Sequence, residues 1–283
     1  MLAPLVPWAK ATRCVTLALV VTGCTSEPSP SLLLPLESAT PRVAETSASA
    51  SVPATPERTA TNGELDRVLT DTEGLRAQRE SLVQVVIAPV VEDERIVEAF
   101  RAVPRHMFVP TDVHDRAYGD YPLPLEAGQT ISQPSLVAMM TELLELDSGE
   151  RVLEIGTGSG FQAAILRQLT DEVYSVEIIP ELHRIATEVL EHLGYGDIQL
   201  DRRDGYHGWE EAAPFDAIVV TAAADHLPPP LVDQLDPDGG RMVIPIGPVG
   251  DVQTLWLVTR TGDEVAMEEI LPVAFVPLTR EEP

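Results

Sequence analysis

The sequence predicts an α/β fold: a mostly parallel sheet with helices on both faces and an antiparallel hairpin at one edge. Three observations carry this. From Arg151 onward, short apolar runs alternate with segments that are apolar at helical spacing, the pattern of parallel strands joined by crossover helices. Val152–Phe161, V-L-E-I-G-T-G-S-G-F, reads as a buried strand that runs into a glycine turn and then a helix. Near the C-terminus, two apolar stretches flank Thr261-Gly262-Asp263, and such a hairpin adds antiparallel strands to a parallel sheet.

With 283 residues and 44% hydrophobic content, the chain can bury the core of one large α/β domain plus extensions. A formal net charge of −26 leaves no basic stripe to neutralise phosphates, which argues against a nucleic-acid partner. The two cysteines, Cys14 and Cys24, both lie near the start. The rest of the chain therefore has no disulfide, no cysteine metal site and no catalytic thiol. The six histidines show no metal-ligand spacing, and no metal is expected.

In order along the chain, residues 1–23 read as a lipoprotein signal peptide. Lys10 and Arg13 precede an apolar run, Cys14–Val21, too short to span a bilayer, and Val21-Thr22-Gly23-Cys24 resembles a lipobox. Residues 24–62, rich in Ser, Thr, Pro and Ala, read as a disordered tether that cannot bury enough apolar surface to order itself. These segments predict an exported protein attached to a membrane through lipidated Cys24.

Glu64–Ile87 and Asp93–Val103 read as helices, the second ended by Pro104. Loops follow through Tyr118–Pro124 and Gly128–Pro134, then a helix over Ser135–Leu146 with Leu136, Met139, Met140 and Leu143 inward. Strands are predicted at Val152–Ile155, Glu172–Glu177, Ile198–Arg202, Phe215–Thr221, Gly240–Pro245, Leu255–Arg260 and Ala266–Pro272. The intervening helices are Phe161–Leu169, Pro180–Leu193, Trp209–Ala213 and Pro229–Leu235.

Open α/β sheets bind ligands at the carboxyl ends of their strands. Gly156, Gly158 and Gly160 give G-x-G-x-G, and Phe161 stands where a dinucleotide fingerprint has its third glycine. Thr157 lies inside the turn. Glu154, two residues before the first glycine, suits an ammonium group better than a pyrophosphate. Glu177 ends the second strand, 23 residues after Glu154, where an acid accepts hydrogen bonds from ribose hydroxyls. Asp204-Gly205 follows the third strand, where Asp204 can accept from an adenine amino group. Together these positions specify S-adenosyl-L-methionine and a Rossmann-like class I methyltransferase fold. Phe161 and Glu154 disfavour a nicotinamide dehydrogenase.

From about Arg79 to Leu278 the chain resembles the protein-L-isoaspartate O-methyltransferase family. The matching segments are V-P-R-H-M-F-V-P (103–110), A-Y-G-D-Y-P-L-P (117–124), G-Q-T-I-S-Q-P (128–134), V-L-E-I-G-T-G-S-G-F-Q-A-A (152–164), P-I-G-P-V-G-D-V-Q (245–253) and F-V-P-L-T (275–279). The resemblance implies a methyltransferase domain over 63–283, with a helical part and substrate loop over 63–150 and a cofactor-binding core over 151–283. It implies a free α-carboxylate of an isoaspartyl residue as methyl acceptor and proteins and peptides bearing such residues as partners; a monomer is expected separately. It makes Ser132 the active-site serine, puts Thr130 and Ile131 beside the cofactor, and places Gln253 in the binding cleft. Phe161 replaces a frequent tyrosine of the family, and Ser135 a larger residue whose loss would widen the mouth. Two alternatives stay open: a methyltransferase acting on another carboxylate, and an inactive lipid-anchored binding protein of the same fold. The resemblance and the cofactor's place of synthesis also keep a cytoplasmic location open.

Overall fold

The computed structural model of the protein describes residues 70–280 other than 249. The expected signal peptide, lipidation site and tether lie outside the described residues.

Helix α1 (Glu73–Leu82) is capped by the Thr72 hydroxyl, which accepts from Leu75 N–H, and it passes into a single π-turn, Val83–Ile87. Helix α2 (Glu94–Ala102) starts at Asp93, whose carboxylate accepts from Arg95 N–H, and it stops before Pro104. A two-stranded ribbon, β1 (Leu123–Pro124) with β2 (Thr130–Ile131), leads into α3 (Pro134–Leu143). The inward face of α3 differs from the expected one: Val137, Ala138, Met140, Thr141 and the following Leu144 are buried, while Leu136, Met139 and Leu143 are only part-buried. This helix is apolar nearly all round, so its periodicity does not choose a face; packing does.

The core is a seven-stranded sheet of β3 (Arg151–Ile155), β4 (Glu172–Val176), β5 (Gln199–Asp201), β6 (Ala217–Val220), β7 (Asp238–Ile246), β8 (Gln253–Thr261) and β9 (Glu264–Val273), ordered β5-β4-β3-β6-β7-β8-β9. Pairs from β5 to β7 are parallel, and β7-β8-β9 are antiparallel. The expected edge hairpin is thus present, and every predicted strand lies within about two residues of an observed one. Helices α4 (Phe161–Arg167), α5 (Pro180–His192) and α6 (Pro229–Asp233) connect the parallel strands. Trp209–Ala213 forms a 3₁₀ turn at Glu210–Ala212 rather than an α-helix.

The strands feed two cores by alternation. Val152, Ala217, Val219 and Val243 join one with Val137, Ala164 and Leu182 of the helices, while Leu153, Ile155, Ile218 and Met242 join the other with Leu231 of α6. Glu154 shares the parity of Val152, so a carboxylate occupies a core-facing strand position. The strand order reverses between β3 and β6, and that switch point is where such sheets open a crevice.

Candidate active site

The glycine turn after β3 is built against both neighbouring strands. Gly156 and Thr157 N–H donate to Val176 O of β4 at 2.9 and 3.1 Å. From the end of β6, the Thr221 hydroxyl donates to Ile155 O and Gly156 O at 3.0 and 2.7 Å. Gly156, Gly158 and Gly160 have φ of +97°, +54° and +87°, a region open to glycine at little cost. At Gly156 a Cβ would also lie 2.6 Å from Thr221 Oγ1.

Two adjoining cavities open over this turn, of about 530 and 410 Å³, and both are lined by Thr130, Gly156, Gly158 and Thr221. The first also has Glu177, Ile178, Ile179, Gly205 and Ala222 on one side and the C-terminal segment Val276–Thr279 on the other. The second has Glu154, Thr157, Ser159, Ile131 and Ser132, walled by Met140, Phe161 and Gln162.

Glu177 is 5% exposed, and its carboxylate accepts from Gly158 N–H at 2.8 Å and Ile179 N–H at 2.9 Å. These bonds fix the carboxylate and leave lone pairs for further donors. Glu154 is fully buried. One oxygen accepts from Ser175 Oγ, which in turn contacts Thr157 Oγ1 at 2.6 Å. Its other oxygen, Oε1, is buried without a hydrogen-bond partner among the described residues. Burial, aided by the charge of Glu177, pushes the Glu154 carboxyl up to about 8.

Ser132 is half-buried and lines the second cavity. Its loop is tied down by Asp120, whose carboxylate accepts from Ser135 N–H at 2.9 Å and Ser135 Oγ at 2.8 Å. Ser135 therefore holds the Ser132 loop to the preceding one instead of simply widening the mouth.

Ten of the twelve predicted site residues meet in this groove or its turn: Thr130, Ile131, Ser132, Glu154, Gly156, Thr157, Gly158, Gly160, Glu177 and Gly205. Asp204 lies beside it, its carboxylate paired with Arg280 at 2.9 Å and accepting from Tyr206 N–H. Gln253 is not among the residues that line either cavity. It begins β8 and is 1% exposed. Its amide donates to Pro248 O and Asp251 O at 2.9 and 2.7 Å and accepts from Phe275 N–H at 2.8 Å. Through these three bonds Gln253 braces the loop before it and the start of the C-terminal segment.

The family model for protein-L-isoaspartate(D-aspartate) O-methyltransferase matches residues 77–283. The chain belongs to this family. It is 53% identical over 210 residues to protein-L-isoaspartate O-methyltransferase 2 of Shewanella sediminis, covering 74% of this chain and 86% of that protein. To the protein-L-isoaspartate O-methyltransferase of Opitutus terrae it is 52% identical over 207 residues, covering 73% and 88%. A solved structure of a protein-L-isoaspartate O-methyltransferase superposes with a TM-score of 0.63 at 32% identity, covering 70% of this chain and 65% of that one. A Plasmodium falciparum structure in complex with S-adenosyl-L-homocysteine shares the fold, with a TM-score of 0.61 at 24% identity over 72% of this chain and 97% of that one.

Within this isoaspartate methyltransferase fold, residue-by-residue reading missed Thr221, Ala222 and Val276–Thr279. Thr221 stands at the carboxyl end of β6, so the rule that found Glu177 was available to find it. Val276–Thr279 follows the last strand and has no strand-end rule to mark it.

Proposed function

We propose that the protein methylates the free α-carboxylate of L-isoaspartyl residues in damaged proteins and peptides, with S-adenosyl-L-methionine as methyl donor. The observation that carries this is the groove. A ribose-type acid, Glu177, stands in one cavity, and a fully buried carboxylate with an open oxygen, Glu154, stands in the other. The glycine turn runs between them, and Ser132 waits at the mouth. Glu177 with Gly205 fits an adenosine, and Glu154 fits an ammonium group. When bound, S-adenosyl-L-methionine supplies a methyl group on a sulfonium that an oxygen can displace.

This chain's residues position and desolvate. The acceptor carboxylate is ionised at neutral pH and needs no general base. Ser132 Oγ donates to one carboxylate oxygen and leaves the other aimed at the methyl. Met140 and Phe161 keep water from the reacting atoms. Ser132 is not a nucleophile, since no strained elbow surrounds it. The methyl ester carries a leaving group that the carboxylate lacks, so in solution the backbone nitrogen attacks the ester carbonyl carbon, the C–OCH3 bond breaks, methanol departs with the N–H proton, and the succinimide closes without a second site.

The test is transfer of labelled methyl to an isoaspartyl peptide, with the label recovered as methanol after mild base. Base-stable label would show methylation at nitrogen or sulfur and overturn the carboxyl reading.

We also propose that the mature protein is a monomer tethered to a membrane through lipidated Cys24. The supporting features are Lys10 and Arg13, the apolar run, the lipobox-like V-T-G-C and the Ser/Thr/Pro-rich stretch, in the order an anchored protein needs. Fractionation of cells expressing the full chain and Cys24→Ala tests this. A full chain that stays soluble with an intact N-terminus overturns it.

A further inference from the structure

We propose that Glu154 is uncharged in the free enzyme and gives up its proton when the ammonium group of the cofactor arrives, so that cofactor binding releases one proton. The inference rests on the reading that the groove holds S-adenosyl-L-methionine.

Glu154 is 0% exposed at a core-facing position of β3. A carboxylate there loses its hydration, and its ionised form requires donors or a cation in compensation. The donors supplied are few. Ser175 serves Oε2, and Oε1 has none among the described residues. Among the described residues, the groups that act on its charge are Ser175 and Glu177, neither of them a cation. β4 presents Ser175 and the like-charged Glu177, and the glycine turn presents Thr157. From α3 and α4 come Met140, Phe161 and Gln162, and from β6 comes Thr221. A neutral carboxyl satisfies this surrounding. Burial drives the group in the same direction, up to about 8.

Glu154 lines the cavity that would take the amino-acid end of the cofactor, and its Oε1 lacks a hydrogen-bond partner among the described residues. An ammonium beside it supplies the missing donor and the missing charge together. The carboxyl O–H bond then breaks, its electron pair stays on oxygen, the proton leaves to solvent and the ammonium keeps its three protons. The Ser175–Thr157 hydroxyl pair holds the other oxygen in place throughout.

Titration calorimetry of S-adenosyl-L-homocysteine into wild type and Glu154→Gln, in buffers of different ionisation enthalpy, measures the protons exchanged. Glutamine has the shape of the neutral carboxyl, so the variant should fold as wild type does, and it reports the ligand's own titration. Wild type should release close to one proton near pH 7, with affinity rising about tenfold per pH unit and levelling near pH 8. Glu154→Gln should release none in that range and bind more weakly. Binding to wild type without proton release overturns this inference alone. Absence of binding overturns the cofactor reading and the inference with it.

Discussion

Arg280 grips Asp204 from the far end of the chain. Its Nε donates to both carboxylate oxygens at 3.1 and 2.9 Å, and its guanidinium lies 3.6 Å from the centre of the Tyr206 ring. The preceding residues, Val276–Thr279, line the cavity beside Glu177, pinned by Ala223 N–H to Val276 O and Leu278 N–H to Ala223 O, both 2.8 Å. Arg280 therefore fastens the end of a cofactor-side wall. Arg280→Ala should raise the KM for S-adenosyl-L-methionine about two- to fivefold, within the ~1 kcal/mol of a part-exposed ion pair, and leave kcat unchanged. Steady-state kinetics with Arg280→Lys should show partial recovery. An unchanged KM in Arg280→Ala would show that the pair is surface decoration.

Thr221→Val should loosen the glycine turn. The variant keeps the shape and removes the hydroxyl donor to Ile155 O and Gly156 O. Stability should fall by about 1 kcal/mol, measured by denaturant unfolding, and S-adenosyl-L-homocysteine affinity should fall with it. Full affinity at reduced stability would limit Thr221 to a structural role.

Ser132→Ala should fold and bind S-adenosyl-L-homocysteine as wild type does, with kcat lowered about 100- to 1000-fold, the size expected when one positioned donor is lost. Rescue by an external base would point to proton transfer in place of positioning.

Two displaced titrations, those of Glu154 and His106, give opposite limbs to the stability profile. Glu154 holds its proton in the folded state up to about 8, above its unfolded value. Its contribution is whole below about pH 4.5 and lost as pH rises through 8. Glu154→Gln should therefore unfold at higher temperature than wild type at pH 8–9 and match it near pH 4. Burial lowers His106, which is hydrogen-bonded through Nδ1 to the Tyr118 hydroxyl at 2.7 Å, to about 4. Its contribution is whole above about pH 6.5 and lost as pH falls toward 4. Ring-nitrogen NMR should find His106 neutral at pH 5.5; a charged ring there would refute the assignment.

The centre of the sheet was legible because β3 and β6 bury both faces and so read as apolar runs, with glycine and proline between them. Glu154 and Glu177 were legible because strand ends are where such folds bind ligands. The face of α3 was hidden because apolar residues surround it, and Met139 and Met140 compete as neighbours for one core position. The π-turn Val83–Ile87 left no mark in a sequence whose apolar spacing continues the helix. The bracing bonds of Gln253 were hidden because a motif fixes a residue's position along the chain and not where its amide points. The partnership of Arg280 with Asp204 joins residues 76 apart and exists only once the C-terminal segment has folded back over the sheet.

The central claim is that the groove reads an isoaspartyl α-carboxylate. A pair of peptides identical except for one isoaspartyl or aspartyl residue, each given labelled S-adenosyl-L-methionine and the full-length protein, tests it most directly. The isoaspartyl peptide should be methylated and then pass through succinimide to a mixture containing the aspartyl form, while its twin stays unlabelled. Equal labelling of both peptides, or of neither, would contradict it.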